Sequence, residues 1–180
     1  DGLLTVARLV LNNPAAASPS PPPETASRPS PIIASVAAID FDDDDAAAEF
    51  ANGHGGFVAN GRAYRIELDA ARRTPAPWSN VIANPGFGFL VTAEGGGYAW
   101  SGNSQQNPLT PWPNDPVSDM PHEVIYLRDS DNGDLWSATA LPIHVPGANY
   151  VTTHGKGWTR FQHDAHGIEL ELTVCVPTGD

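Results

Sequence analysis

Alternating apolar and polar residues predict short β-strands from residue 50 onward. In the clearest strand, residues 168–176, every second side chain is apolar: Ile168, Leu170, Leu172, Val174 and Val176. Turn-forming residues separate four further strand pairs, at 57–68 around Asn60-Gly61, 87–101 around three glycines, 123–139 around residues 129–134, and 150–162 around residues 155–157. Closely spaced hairpins without strand–helix–strand units predict an all-β fold, an antiparallel β-sandwich.

Residues 1–49 follow a different pattern. Apolar residues at helical spacing over residues 2–12 predict the tail of a helix from a preceding domain. Seven of the 18 prolines fall between residues 14 and 31, which predicts an extended, poorly ordered linker. The acidic run at residues 42–45 could bind a cation, but closely packed like charges favour a solvated linker. We therefore predict two parts, a helix tail with a linker at 1–49 and a β-sandwich at 50–180.

Charge and cysteine usage narrow the function. The net charge of −12 argues against nucleic acid and anionic membrane surfaces as partners, whereas neutral sugars remain compatible. Residues 1–49 contribute eight acidic and two basic residues, so half of that charge belongs to the linker. Cys175 is the only cysteine, which excludes an intrachain disulfide. No apolar run approaches the roughly 20 residues that span a bilayer.

The loop at residues 109–119 is the strongest candidate for chemistry. Three prolines exclude a helix interior or a central strand. Trp112, Asn114, Asp115 and Asp119 would place an aromatic plate and several hydrogen-bond acceptors on a stiff loop, which suits a flat-faced sugar. The alternative is a structural connection in which the indole caps the core and the polar groups bond turn backbone.

The other tryptophans divide by context. Trp78 follows a proline in a loop, as Trp112 does, and both are candidate sugar-stacking residues. Trp100 lies where a strand enters a polar loop containing Asn103, so it is either a core residue or a ligand-binding residue. Trp136 and Trp158 lie within predicted strands, which favours burial in the core.

Several catalytic and metal chemistries are not supported. Asp115 and Asp119 are not predicted as a catalytic pair, because no phosphate-binding cluster accompanies them. The His163-x-x-His166 pair is predicted to be a solvated turn and not a metal site. The glycines between Phe50 and Phe57 lack the strand-then-helix context of a phosphate loop, so we expect both phenylalanines to be buried. Cys175 and the serines lack a paired base.

A family resemblance rests on six motifs in order: FANGHGGF at 50–57, TPAPWSNVIANP at 74–85, GFGF at 86–89, GGYAWSGNS at 96–104, IYLRD at 125–129 and LWSATALPI at 135–143. Over residues 50–177 the chain resembles the N-terminal β-sandwich of the phosphorylase-like region of cyclic β-1,2-glucan synthases. That region belongs to glycoside hydrolase family 94, formerly glycosyltransferase family 36. The resemblance implies a supersandwich, incomplete at its C-terminus here, whose final strand would lack some partners.

The resemblance also implies what a longer parent protein would contain. Family members carry the general acid and the phosphate-binding residues on an (α/α)6 barrel, so this chain alone should be inactive and bind no cofactor. The parent would use inorganic phosphate as co-substrate and be anchored in the bacterial inner membrane, with this region on the cytoplasmic side. Expected partners are a β-glucan oligosaccharide, the barrel of the same polypeptide and a second copy in a homodimer.

Three functions are compatible with this sequence. The first is the non-catalytic sandwich of a glycoside phosphorylase or glycosyltransferase of glucan metabolism, which supports the barrel and walls the glucan cleft. The candidate substrate-binding residues are then Trp78, Trp100, Asn103, Trp112, Asn114, Asp115 and Asp119. The second is a stand-alone carbohydrate-binding module. The third is a structural or dimerisation domain whose tryptophan loop contacts protein.

Overall fold

The computed structural model describes residues 6–12, 47–112, 115 and 117–177. These residues contain eleven β-strands and no helix. Their bounds are β1 Val6–Asn12, β2 Gly55–Val58, β3 Ala63–Leu68, β4 Ser79–Ala83, β5 Phe87–Thr92, β6 Gly97–Ser101, β7 Tyr126–Arg128, β8 Leu135–Ser137, β9 Tyr150–Gly155, β10 Trp158–Ala165 and β11 Ile168–Cys175. Every strand pair is antiparallel, which confirms the predicted all-β class.

The larger sheet has six strands in the order β1-β11-β10-β9-β3-β2. The predicted hairpins β2–β3, β9–β10 and β7–β8 all form, and the last of these is a separate two-stranded sheet. Asn60 and Gly61 both have positive φ in the β2–β3 turn, as a tight hairpin requires. Local turn chemistry therefore determines these pairings.

The first strand corrects two predictions. Val6–Asn12 forms β1 and pairs with β11 along its whole length, so the helix predicted over residues 2–12 is wrong there. The open edge of β11 supplies backbone partners for an extended segment, and that long-range pairing overrides the helical spacing of the apolar residues. Since β11 pairs with β1 on one side and β10 on the other, the prediction that it lacks partners is also wrong. The predicted linker over residues 13–46 lies outside the described residues.

The smaller sheet has the order β4-β5-β6 and packs against the larger one. Its hairpin β5–β6 was predicted, whereas β4 was not, because only Ile82 of its five residues is buried. Asn80 of β4 connects the two sheets: its Nδ2 donates to the carbonyl oxygens of Gly155 and Trp158, both at 2.9 Å.

The core lies between the two sheets. One cluster joins residues of the smaller sheet to the end of β11; its members are Ile82, Phe87, Phe89, Ala99, Val174 and Val176. A second cluster joins β10, β11 and the segment after β8; its members are Ala138, Phe161, Leu170, Leu172, Val91 and Leu127. The opposite face of β11 also contains buried residues, Thr173 and Cys175. The architecture is an antiparallel sandwich.

Two burial predictions are wrong. Phe50 is 85% exposed and Phe57 42% exposed, because paired backbone hydrogen bonds of 2.8 Å between Glu49 and Phe57 hold this segment at the sheet edge. In contrast, His163 is 5% exposed, because β10 extends through Ala165 and carries its imidazole into the interior. His166 alone occupies the exposed turn predicted for both histidines.

Candidate functional site

A cleft of about 480 Å³ opens where the smaller sheet meets the loop after β6. It is bordered by the segment that leads into β4, by the β5–β6 hairpin and by the described residues between Trp112 and Met120. Its lining residues are Ala76, Pro77, Ser79, Leu90, Thr92, Gly97, Trp112, Asp115, Ser118, Asp119 and Met120. Three of the seven predicted site residues, Trp112, Asp115 and Asp119, therefore share one concave surface.

Trp112 forms an aromatic wall of this cleft. Its side chain is 48% exposed, and its indole stacks on Tyr98 with a centroid distance of 4.9 Å and an interplanar angle of 10°. Tyr98 covers one face of the indole, and Trp112 remains about half exposed on the cleft wall. Stacking of this kind suits a ligand with a flat apolar face.

Asp119 is a hydrogen-bonded acceptor in the cleft. Both carboxylate oxygens accept from the hydroxyl of Thr92, at 2.9 and 2.8 Å, and that hydroxyl accepts from the backbone N–H of Gly96 at 2.8 Å. The carboxylate occupies the space where a Cβ on Gly96 would lie. Thus the glycine turn and the carboxylate fit together, and the turn holds Asp119 in place.

The electrostatics of Asp119 differ from those of an ordinary surface carboxylate. Burial raises its pKa, and the hydrogen bond from Thr92 opposes that shift. The neighbouring Glu94 raises the pKa further, while Arg73 lowers it. Arg73 forms a two-pronged ion pair with the buried Glu94. Asp119 is therefore a partly buried acceptor beside an already paired ionic group.

Asp115 is a turn residue on the wall of the cleft. Its carboxylate lies on the cleft wall and is exposed. Oδ1 accepts from the backbone N–H of Val117 at 2.9 Å. Hydrogen bonds from Ser118 and Val117 lower the pKa of Asp115, so this group is an ionised turn-stabilising acceptor at neutral pH.

The two other candidate tryptophans, Trp78 and Trp100, do not line the cleft. Trp100 is 8% exposed and belongs to the core, because its indole packs against Gly88 on the paired strand. Trp78 is half-buried and packs with Tyr64 against a third buried cluster, which includes Ile66, Leu68 and Tyr150. Its two chain neighbours nevertheless line the cleft.

Asn103 does not line the cleft either. The side chain of Asn103 is exposed, and its Oδ1 accepts from the backbone N–H groups of Gln105 and Gln106 at 3.0 and 2.8 Å. Asn103 is thus a turn-forming residue, which explains its position in a polar loop. Asn114 lies outside the described residues.

Sequence reasoning missed several cleft residues. Thr92 and Ser118 are single hydroxyl residues without a motif, and no sequence signal marks them. Tyr98 does not line the cleft but packs behind Trp112. The sequence did contain a signal for it, since it alternates with Trp100 on one strand and therefore shares its face.

A second, apolar cavity of about 320 Å³ lies between the sheets. Phe87, Phe89, Phe161 and Leu172 line it, and it shares Leu90 and Gly97 with the cleft. Among the described residues, no cluster of three metal-ligating side chains occurs and no helix is long and apolar enough to cross a membrane.

Ligand-binding pockets combine aromatic and apolar walls with a few precisely placed polar groups, and the cleft of this antiparallel sandwich has both. The family model "Glycosyl hydrolase 94, supersandwich domain" matches residues 62–180. The chain therefore belongs to this family, as its motifs indicated.

Curated relatives agree with this assignment. The chain is 41% identical over 139 residues to the cyclic beta-(1,2)-glucan synthase NdvB of Rhizobium meliloti, covering 77% of this chain and 5% of that protein. It is 33% identical over 108 residues to the N,N'-diacetylchitobiose phosphorylase of Vibrio proteolyticus, covering 59% and 14%. For the solabiose phosphorylase of Paenibacillus borealis, identity is 28% over 130 residues, covering 71% and 16%. The chain thus spans from 5% to 16% of the length of these relatives.

Proposed function

We propose that this chain is the non-catalytic β-sandwich portion of a carbohydrate-active enzyme, in which it supports the barrel and walls a β-glucan cleft. One observation supports this most strongly: the stacking surface of Trp112 and the acceptor Asp119 line the same cavity. An aromatic plate binds the apolar face of a pyranose ring, and a fixed carboxylate accepts its hydroxyls.

The carboxylates of the cleft favour binding over catalysis. A general acid must hold a proton at working pH and lie within reach of the leaving oxygen. The lowered pKa of Asp115 makes it a poor proton donor. Burial raises the pKa of Asp119, but the hydrogen bond that the Thr92 hydroxyl donates to its carboxylate favours the ionised form, which accepts hydrogen bonds. We assign the acid and the inorganic phosphate co-substrate to the barrel that the family resemblance implies.

The experiment compares Trp112→Ala with the unchanged enzyme in a longer protein that includes the barrel. Loss of the stacking indole should reduce the free energy of glucan binding by about 1–3 kcal/mol, by analogy with other flat ligands that stack on aromatic rings. This corresponds to an increase in KM of about 5- to 150-fold. Folding should lose only about 1 kcal/mol, because the indole is half-exposed and its main contact is Tyr98.

Two controls complete this test. Trp136→Phe alters a tryptophan that is 2% exposed and outside the cleft, so it should lower the melting temperature and leave KM unchanged. The 180-residue chain, incubated with phosphate and linear β-1,2-glucan, should release no glucose 1-phosphate. Turnover by this chain that is lost in Asp119→Asn would contradict the non-catalytic assignment.

A second candidate function is protein contact, including a homodimer. Leu109, Val117 and Met120 are exposed on the same loop, and Val117 is 82% exposed. Such a rim suits a protein surface better than a sugar. Sedimentation equilibrium of Val117→Ser and of the unchanged chain would separate the two: a dimer that dissociates in this variant favours protein contact.

The compartment is also a proposal. We infer a parent anchored in the bacterial inner membrane, with this region facing the cytoplasm, from the family resemblance. Protease digestion of right-side-out and inverted vesicles tests it. Cleavage of this region in right-side-out vesicles would contradict the cytoplasmic orientation.

A further inference from the structure

Three aromatic side chains contact one another in a row that ends at the cleft. Trp100 and Tyr98 are 8% and 6% exposed, and their rings meet at a tilt of 42° with centroids 5.2 Å apart. Trp112 stacks on Tyr98, with a centroid distance of 4.9 Å and an interplanar angle of 10°, and is 48% exposed. Of the three rings, only that of Trp112 is exposed enough to contact a ligand.

The inner end of the stack is fixed by the sheet. Tyr98 and Trp100 are two residues apart on β6, so their side chains share one face. Gly88 is the backbone partner of Trp100 on β5, and a Cβ there would lie 2.6 Å from Cε2 of the indole. The absence of a side chain at this position lets the indole lie flat against the strand.

The outer end is fixed by the loop that carries Trp112. The backbone N–H of Leu109 donates to the carbonyl oxygen of Ala99 at 2.8 Å, and the backbone N–H of Ala99 donates to the Thr110 hydroxyl at 2.8 Å. These bonds attach the loop to the edge of β6 two residues before Trp112. Tyr98 therefore fills the space between an anchored strand and an anchored loop.

We propose that Tyr98 is a positioning residue: its ring sets the orientation of Trp112 and leaves one indole face to the ligand. The inference deepens the proposed function and rests on it for the affinity effect. The ring performs this role and not the hydroxyl, because the contact is a face-to-face stack.

Removing the ring frees Trp112 to change rotamer. A side chain that must be ordered on binding weakens affinity, here by about 3- to 10-fold for a single ordered side chain. Tyr98→Phe keeps the stack and should bind as the unchanged chain does. Tyr98→Leu removes it and should bind more weakly.

The test uses the 180-residue chain with a linear β-1,2-linked gluco-oligosaccharide as probe. The indole Nε1–H signal of Trp112 is assigned in the 15N–1H NMR spectrum from its loss in Trp112→Phe. Ring currents from Tyr98 should shift this signal. Tyr98→Leu should therefore move it, whereas Tyr98→Phe should leave it in place. Titration calorimetry with the oligosaccharide then gives Kd for each variant.

Phe87→Leu is the matched control, since Phe87 is buried in the same sheet and does not line the cleft. It should lower the melting temperature without moving the Trp112 signal or Kd. An unmoved Trp112 signal in Tyr98→Leu would overturn the positioning role, as would a moved signal with unchanged Kd. If the unchanged chain fails to bind the oligosaccharide, the proposed function loses support, while the Trp112 signal still decides whether Tyr98 orients the indole.

Discussion

Mild acid should destabilise this protein through two histidines, one buried and one half-buried. The ring of His163 contacts that of Tyr150 at a tilt of 33°, with centroids 4.6 Å apart; His163 is 5% exposed, and burial lowers its pKa to about 4. Burial also lowers the pKa of His154 to about 4, although its ring contacts the carbonyl oxygen of Trp78 at 3.3 Å. Both imidazoles are neutral in the folded protein at neutral pH.

The sign follows from proton linkage. Between pH 6.5 and about 4, an unfolded histidine takes up a proton that the folded one does not, so acid favours the unfolded state. Stability is then complete above pH 6.5 and decreases as the pH falls toward about 4. At pH 5, roughly 1.5 pH units below the unfolded pKa, each histidine costs about 2 kcal/mol. Two histidines cost about 4 kcal/mol, a large share of the roughly 5–15 kcal/mol that stabilises a typical domain.

Urea unfolding at pH 7.5 and pH 5.0 measures this effect. The unchanged chain should lose about 4 kcal/mol of unfolding free energy between the two pH values, and His163→Phe should lose only about 2 kcal/mol. Phenylalanine keeps a ring against Tyr150 and removes the titrating group. Asp119, whose raised pKa acts in the opposite direction, is present in both proteins and cancels in the comparison.

Phe161→Leu serves as the control, because Phe161 is buried on the same strand and does not titrate. It should lower the unfolding free energy equally at both pH values. The linkage argument fails if the unchanged chain is equally stable at pH 7.5 and pH 5.0. It also fails if His163→Phe loses as much stability as the unchanged chain.

Two further predictions concern the cleft. Asp119→Asn should keep or raise the melting temperature at pH 7.5, because burial disfavours the ionised carboxylate, and should weaken oligosaccharide binding by about 1.5–3 kcal/mol. Thermal unfolding measures the first effect and calorimetry the second. A sharply lower melting temperature would show that the carboxylate is structural. Gly96→Ala places a Cβ where the Asp119 carboxylate lies, so it should weaken oligosaccharide binding. The melting temperature should change little, because the displaced group is the end of a side chain. Unchanged oligosaccharide binding would show that the position of Asp119 is unimportant.

The sequence predicted the elements that depend on neighbouring residues. Asn60-Gly61 and the glycines at 95–97 specify their hairpins because only a few residue types adopt the backbone angles of such turns. The six family motifs indicated the fold and the relatives, because their order over residues 50–143 is characteristic of a whole domain and not of a single contact. Proline content marked residues 109–119 as a loop for the same local reason.

Tertiary structure alone decided which side chains share a site. β1 pairs with a strand more than 150 residues away, so local spacing over residues 6–12 carried no information about it. Trp100 and Trp112 both lie next to polar loop residues in the sequence. The indole of Trp100 packs against Gly88 and is buried, whereas the indole of Trp112 stacks on Tyr98 and remains half-exposed. Burial depends on what packs against a residue from elsewhere in the chain, and these long-range contacts exist only once the sheets have formed.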